Sequence, residues 1–133
     1  MGRFSATIDG FVDSALLAQT QGFRKIALDT LNKVQKKTPV DSGALRRSWT
    51  VALNAVPSNY DGSQIAIAQA RLSDTIVIAT DKPYAPMLEY GLYPTPSKTG
   101  KVTMQGYSSQ APRGMIRISV DEINAYYAQH STL

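Results

Sequence analysis

The chain contains no cysteine. That excludes disulfides and thiolate metal sites, and it suits folding in a reducing compartment without requiring one. Histidine occurs once, as His130 in the last few residues, so neither a Ser–His–Asp relay nor a histidine-rich metal centre has its raw material. No apolar run approaches the ~20 residues of a membrane-spanning helix. The opening Met1-Gly2-Arg3-Phe4-Ser5 lacks the apolar core of a secretory signal, and Gly2 is not followed by Ser or Thr at the acylation spacing. Acidic residues are the scarcer charge, 10 against 14 Lys and Arg, which leaves a net +4. These absences lead us to expect a protein without metal, cofactor, membrane anchor or catalytic centre.

What remains is ordinary globular material. A length of 133 residues and a hydrophobic share of 43% suit one domain, 1–133, with a real core. Ile8, Phe11, Val12, Ala15, Leu16, Phe23, Ile26, Ala27, Leu31 and Val34 recur at three- and four-residue steps, which predicts one amphipathic helix over Asp9–Lys37, capped by Thr7 or Asp9. At 1.5 Å per residue it would be roughly 40 Å long, whereas a domain of this size has a radius of gyration of about 14 Å. Such a helix overhangs its own domain and calls for a neighbour, most simply another copy of the chain. Pro39 stops it near Lys37 and biases Thr38 away from helical angles. Asp41 and Ser42 are N-cap candidates for a short turn, Ala44-Leu45-Arg46-Arg47.

Alternation predicts a strand over Ser48–Leu53 with Trp49, Val51 and Leu53 on one face, Trp49 being a core anchor. A short helix after Gly62-Ser63-Gln64 is expected to bury Ile65, Ala68 and Leu72. The near-continuous apolar run Thr75–Thr80 reads as a central strand. Tyr84–Tyr90 fits a short helix closed by a left-handed Gly91, with Pro86 tolerated in its first turn. Residues 92–109 are rich in Pro, Gly and Ser and read as a projecting arm or hairpin, with Val102-Thr103-Met104 in one limb. Pro112–His130 closes the chain as a helix with Met115, Ile116, Ser119, Ile123, Tyr126 and Tyr127 inward. The fold class is therefore α+β, with a long N-terminal and a C-terminal helix packed on a small, mostly antiparallel sheet.

Chemistry-bearing clusters are sparse. Asp9 and Asp13 share a helix face and Asp121 and Glu122 are adjacent, but helix-terminal or solvated charges explain both pairs. Lys98-Thr99-Gly100-Lys101 lacks the strand, glycine spacing and helix of a phosphate loop. Lys33, Lys36 and Lys37 complement the end of a helix dipole; the competing reading of the basic balance is a sequence-independent DNA-binding module. Glu89 stands out among bulky neighbours, with Arg46, Arg113 and Arg117 in segments able to approach it. Arginine–carboxylate pairing there either ties the short helix to the last one or joins two subunits. Tyr84, Tyr90, Tyr93 and Tyr107, with Lys82, Lys98 and Lys101 nearby, could stack on bases. Tyrosines beside prolines and glycines fit a protein interface better, because no basic run interleaves with them.

Three stretches resemble one family. Thr38-Pro39-Val40-Asp41-Ser42-Gly43-Ala44-Leu45-Arg46 with Ser48-Trp49 resembles a Thr-Pro-Val-Asp-Thr-Gly box of the tail-completion (neck, head–tail joining) proteins of tailed bacteriophages. Asp81–Gly91 and Gln110–Arg117 resemble the same family in the same order. The sequence departs from it at 92–109, longer than the brief connection usual there. The resemblance implies a structural virion protein, made in the host cytoplasm, that forms a ring, of six copies to match the tail's symmetry. Such a ring joins the head connector or adaptor proteins to the tail terminator or tail tube, and genomic DNA passes through its lumen. It also implies a subunit or partner interface, expected to draw on Arg46, Arg47, Tyr84, Glu89, Tyr90, Tyr93, Lys98, Lys101, Tyr107, Arg113 and Arg117.

Overall fold

The computed structural model describes residues 2–40 and 43–129, with side chains from residue 17 onward. Helix α1 runs Gly2–Lys37, followed by α2 (Ala44–Ser48), β1 (Thr50–Leu53), α3 (Ile65–Gln69), β2 (Ile76–Ala79), α4 (Ala85–Tyr90) and α5 (Ile116–Gln129). The expected α+β architecture is what forms. The first helix begins seven residues before Asp9, so neither Thr7 nor Asp9 caps it. Nothing in the sequence between Gly2 and Asp9 breaks a helix, and helices propagate cheaply once nucleated.

Pro39 ends α1 where expected. The turn that follows is held by Thr38, which is 1% exposed. Its hydroxyl donates to the carbonyl of Val34 at 2.6 Å and accepts the indole N–H of Trp49 at 2.8 Å. One side chain thus closes the last turn of α1 and satisfies a tryptophan that is itself 2% exposed. Arg46 adds a bond from its guanidinium to the Thr38 carbonyl. Gly43, left-handed at φ 73°, occupies the N-cap of α2 without a side-chain bond; Asp41 and Ser42, the expected caps, lie outside the described residues.

β1 and β2 pair antiparallel, Thr50 opposite Ala79 through Leu53 opposite Ile76, and among the described residues the sheet has only these two strands. The expectation that Ile76–Ala79 would be central is therefore wrong. Its apolar run reflects a core on one face and an uncovered edge rather than strands on both sides, and all four residues are only half-buried. Ala27, Leu31 and Val34 of α1, Leu45, Trp49, Val51, Ile67, Leu88 and Met115 form the core, with Ile76 and Ile78 packed against it. In α3 the inward positions are Ile67 and Ala70, whereas Ile65 is 67% exposed. The expected face was off because a five-residue helix gives periodicity too little length to act on.

α5 starts at Ile116, four residues after the expected Pro112, because Pro112 and Gly114 form a bridged turn first. Ser119 and Ile123 are buried as expected, but Tyr126 is 49% exposed. Tyr127 instead donates its hydroxyl to Asp29 at 2.8 Å, which also takes the ammonium of Lys25 at 2.8 Å. Lys33 and Lys37 face Glu122 of α5, so these two lysines work across a helix pair as well as along the α1 dipole. Arg24 ties α1 to the body, its Nε donating to the Ala70 carbonyl. Before it, Leu17 is 57% exposed, and a Cβ placed on Gly22 would meet nothing within 4 Å.

Replacing Thr38 by Val is expected to cost about 1–3 kcal/mol in urea unfolding, since it leaves the buried indole N–H of Trp49 without an acceptor. Thr38→Ser, which keeps the hydroxyl, should retain most of that stability.

Candidate functional site

No Ser, Thr, Asp or Asn precedes Ile116 in the stretch Ala111–Met115, so α5 has no local side chain for its first N–H groups. Glu89, at the C-terminal end of α4, supplies the acceptor from 26 to 28 residues away. Its Oε1 accepts the backbone N–H of Met115 and of Ile116, each at 2.8 Å, and its Oε2 accepts that of Arg117 at 3.0 Å. Arg117 then closes the loop from outside: its Nε donates to Oε2 at 3.0 Å and its guanidinium donates to the Glu89 carbonyl at 2.8 Å. The carboxylate is a remote helix cap with its counter-ion built in, placed where the α5 dipole favours negative charge.

The expected intrachain tie from α4 to the last helix is present, made with Arg117 and not with Arg46 or Arg113. Glu89 itself is 7% exposed. Burial works to raise its pKa, but the three backbone N–H bonds and Arg117 outweigh it and hold the carboxyl below the ordinary value. Gly114, left-handed at φ 84°, lets the chain pass so close that a Cβ would sit 2.7 Å from the Glu89 carbonyl oxygen.

Around this junction lies an aromatic surface. The Arg117 guanidinium stacks over the ring of Tyr90, 4.7 Å to its centroid, while Tyr90 remains 56% exposed. Tyr107 lies against Gly91, the left-handed C-cap of α4, where any Cβ would meet its ring. The second half of segment 92–109 is tied down: Val102 bridges Ser108, and Tyr93 donates its backbone N–H to Gly106 at 3.1 Å. Leu92, Pro94 to Pro96 and Lys98 to Lys101 stay exposed, as does Met104 at 76%.

Tyr84, Tyr93 and Lys101 line a second feature, a cleft of about 420 Å³ between the elbow and the arm, floored by Pro39, Leu45 and Leu88. Gln110 bridges its far side by accepting the backbone N–H of Val40. Two groups of expected interface residues are therefore brought together, Glu89, Tyr90, Tyr107 and Arg117 at the junction and Tyr84, Tyr93 and Lys101 at the cleft. Arg46 is occupied at the elbow and Arg47 is exposed on α2. Lys98 stands exposed on the arm, and Arg113 lies with Lys37 and Glu122. Among the described residues no group of three metal-ligating side chains converges.

Sequence reasoning missed Thr38, Gln110 and the N–H groups of Met115–Arg117. For the last, the missing cap before α5 was the available signal.

A family model described as "Bacteriophage HK97-gp10, putative tail-component" matches residues 6–91, well over half of the chain. The match takes in α1, the elbow, both strands and α4, and stops before the arm and α5. No curated protein and no solved structure matches.

Because the folded carboxyl of Glu89 titrates below its unfolded value of about 4.3, the stability it adds is present above that pH and is lost as pH falls through the folded value. Glu89→Gln should flatten the acid limb of a stability–pH curve without abolishing it, since Asp29, Asp74 and Glu122 are also depressed. At neutral pH Glu89→Ala is expected to cost on the order of 3 kcal/mol, read by denaturant titration.

Proposed function

This chain belongs to the HK97-gp10-like family of bacteriophage tail components, and from that premise we propose that it is a structural subunit of the virion that closes into a ring at the head–tail junction. The ring has six copies, joins the head connector to the tail terminator or tube, and leaves a lumen through which DNA passes without base-specific contact. The observation that carries this reading is α1. Its 36 residues reach about 54 Å at ~1.5 Å per residue, far beyond the body it packs on, and its turns before Phe23 are solvent-exposed where described. A helix of that length on a domain this small is accounted for by a neighbouring subunit.

A ring made from one kind of subunit requires two different patches that meet head to tail. We assign one to α1 with the elbow, including Arg46 and Arg47. The other is the Tyr84–Gly91 turn with the arm, presenting Tyr84, Tyr90, Tyr93, Lys98, Lys101 and Tyr107, with Arg117 and Arg113 behind them. In this reading the exposed stretch 94–101 is a projecting arm that orders against the next copy or the adjoining ring. A DNA-binding module would need free basic side chains in a row. Lys25, Lys33 and Lys37 are instead matched to Asp29 and Glu122, which favours the structural role. Among the described residues the same aromatic and charge pattern offers no nucleophile–base pair for catalysis.

Replacing residues 95–100 by a short Gly/Ser link keeps the Val102–Ser108 bridge and should leave the fold intact by circular dichroism. It is expected to abolish joining of heads to tails in complementation, with both accumulating separately under the electron microscope. Wild-type joining by this variant would remove the arm from the interface. Light scattering that finds only monomer at all concentrations, together with one copy per particle, would end the ring.

A further inference from the structure

Among the described residues the outer edge of β2 is uncovered, and its chemistry selects an occupant. Asn54 donates its backbone N–H to the Thr75 carbonyl at 2.8 Å, and Thr75 returns its own to the Asn54 side chain. Counting along the register, Ala52–Val77 and Thr50–Ala79 are the hydrogen-bonded pairs. The N–H and carbonyl of Ile76 and Ile78 therefore point away from β1. The opposite edge is engaged at Val51, which donates to the Ser63 carbonyl at 3.0 Å, and Gly62 beside it donates to Thr50 Oγ1. Natural edges are guarded by shortness, charge, proline or a bulge, and β2, Ile-Val-Ile-Ala, is short but carries no charge, proline or bulge.

The core is also open beneath this edge, at both ends. A groove of about 390 Å³ lies beside Ile76, walled by Phe23, Ile26 and Ala27 of α1. Another of about 350 Å³ lies beside Ile78, walled by Pro86, Met115 and Ile116 among others. The edge thus asks for one more antiparallel strand with an inward apolar side chain at each end.

We propose that this strand is β2 of a second copy. β2 offers an edge with no backbone partner along its length among the described residues, and it is self-complementary about Val77. A two-fold axis there sets Ile76 against the partner's Ile78 and Ile78 against the partner's Ile76. Each incoming isoleucine falls on the core side of the sheet, one over each groove, as the two-residue period demands. The same register brings Asp74 within a diagonal step of the partner's Lys82, a charge match made twice by symmetry. This contact is isologous. It is centred on β2 and does not depend on the ring, although its grooves share walls with both ring patches, Phe23, Ile26 and Ala27 of α1 and Pro86 of the turn.

Val77 lies on the outer face, opposite Ile76 and Ile78, and would sit on the axis as a non-hydrogen-bonded pair, where cross-strand Cβ atoms come closest. The native chain has no cysteine, so Val77→Cys gives a single, clean probe in the full-length protein. Under mild oxidation it should convert to a disulfide-linked dimer many-fold faster than Val56→Cys, a control whose side chain is 68% exposed in the β1–α3 loop. Val77→Lys, compared with wild type for helicity and melting, should lose the dimer in light scattering while staying folded. Equal crosslinking by both cysteine variants, no covalent dimer from Val77→Cys, or a dimer undiminished by Val77→Lys would each overturn the pairing.

Discussion

The C-terminal part of the molecule, from α4 to α5, hangs on one carboxylate. α5 begins without a local cap and is preceded by proline and glycine, so its first N–H groups need a distant acceptor before the helix can settle on α1. Glu89 provides it and in the same act fixes the end of α4, with Gly114 allowing the close approach and Arg117 balancing the charge. Hydrogen bonds to a charged acceptor are about twice as strong as neutral ones, so the junction can tolerate burial that a lone carboxylate could not. Segment 92–109 lies between the two elements the carboxylate joins, leaving α4 at Gly91 and returning toward Met115.

Elbow and junction have the same logic. In each, one polar side chain buried beside an aromatic or apolar core satisfies groups from two elements: Thr38 for α1 and Trp49, Glu89 for α4 and α5. These two sites clamp the elements on either side of the elbow–arm cleft. Exposed Tyr90 and the lip of the cleft, Tyr84 and Tyr93, therefore sit on rigid footings, which suits a surface meant to be matched by another molecule.

Much of this was legible in the sequence because it rests on local chemistry. Pro39 ends a helix wherever the next N–H is needed, Gly91 caps one by taking φ 66°, and the alternation over Ser48–Leu53 marks a strand, which begins at Thr50 because Ser48 closes α2 and Trp49 caps it. The chosen partner of Glu89 could be narrowed to three arginines, but the backbone groups it binds could not be seen, since they are 26 or more residues away and carry no side-chain signature. The position of β2 was misread for a related reason. An apolar run of four reports burial on faces and is silent about edges. The short α3 failed for want of length, and the early start of α1 because nothing forbids a helix from beginning before its first good cap.

Trp49 is the only tryptophan, and its indole proton rests on the hydroxyl that closes α1. Excited beyond the absorption of the seven tyrosines, its fluorescence consequently reports this one site. A red shift in emission would mean that water has reached the corner between helix and sheet, so the molecule holds its own optical gauge of whether that corner opens when subunits come together.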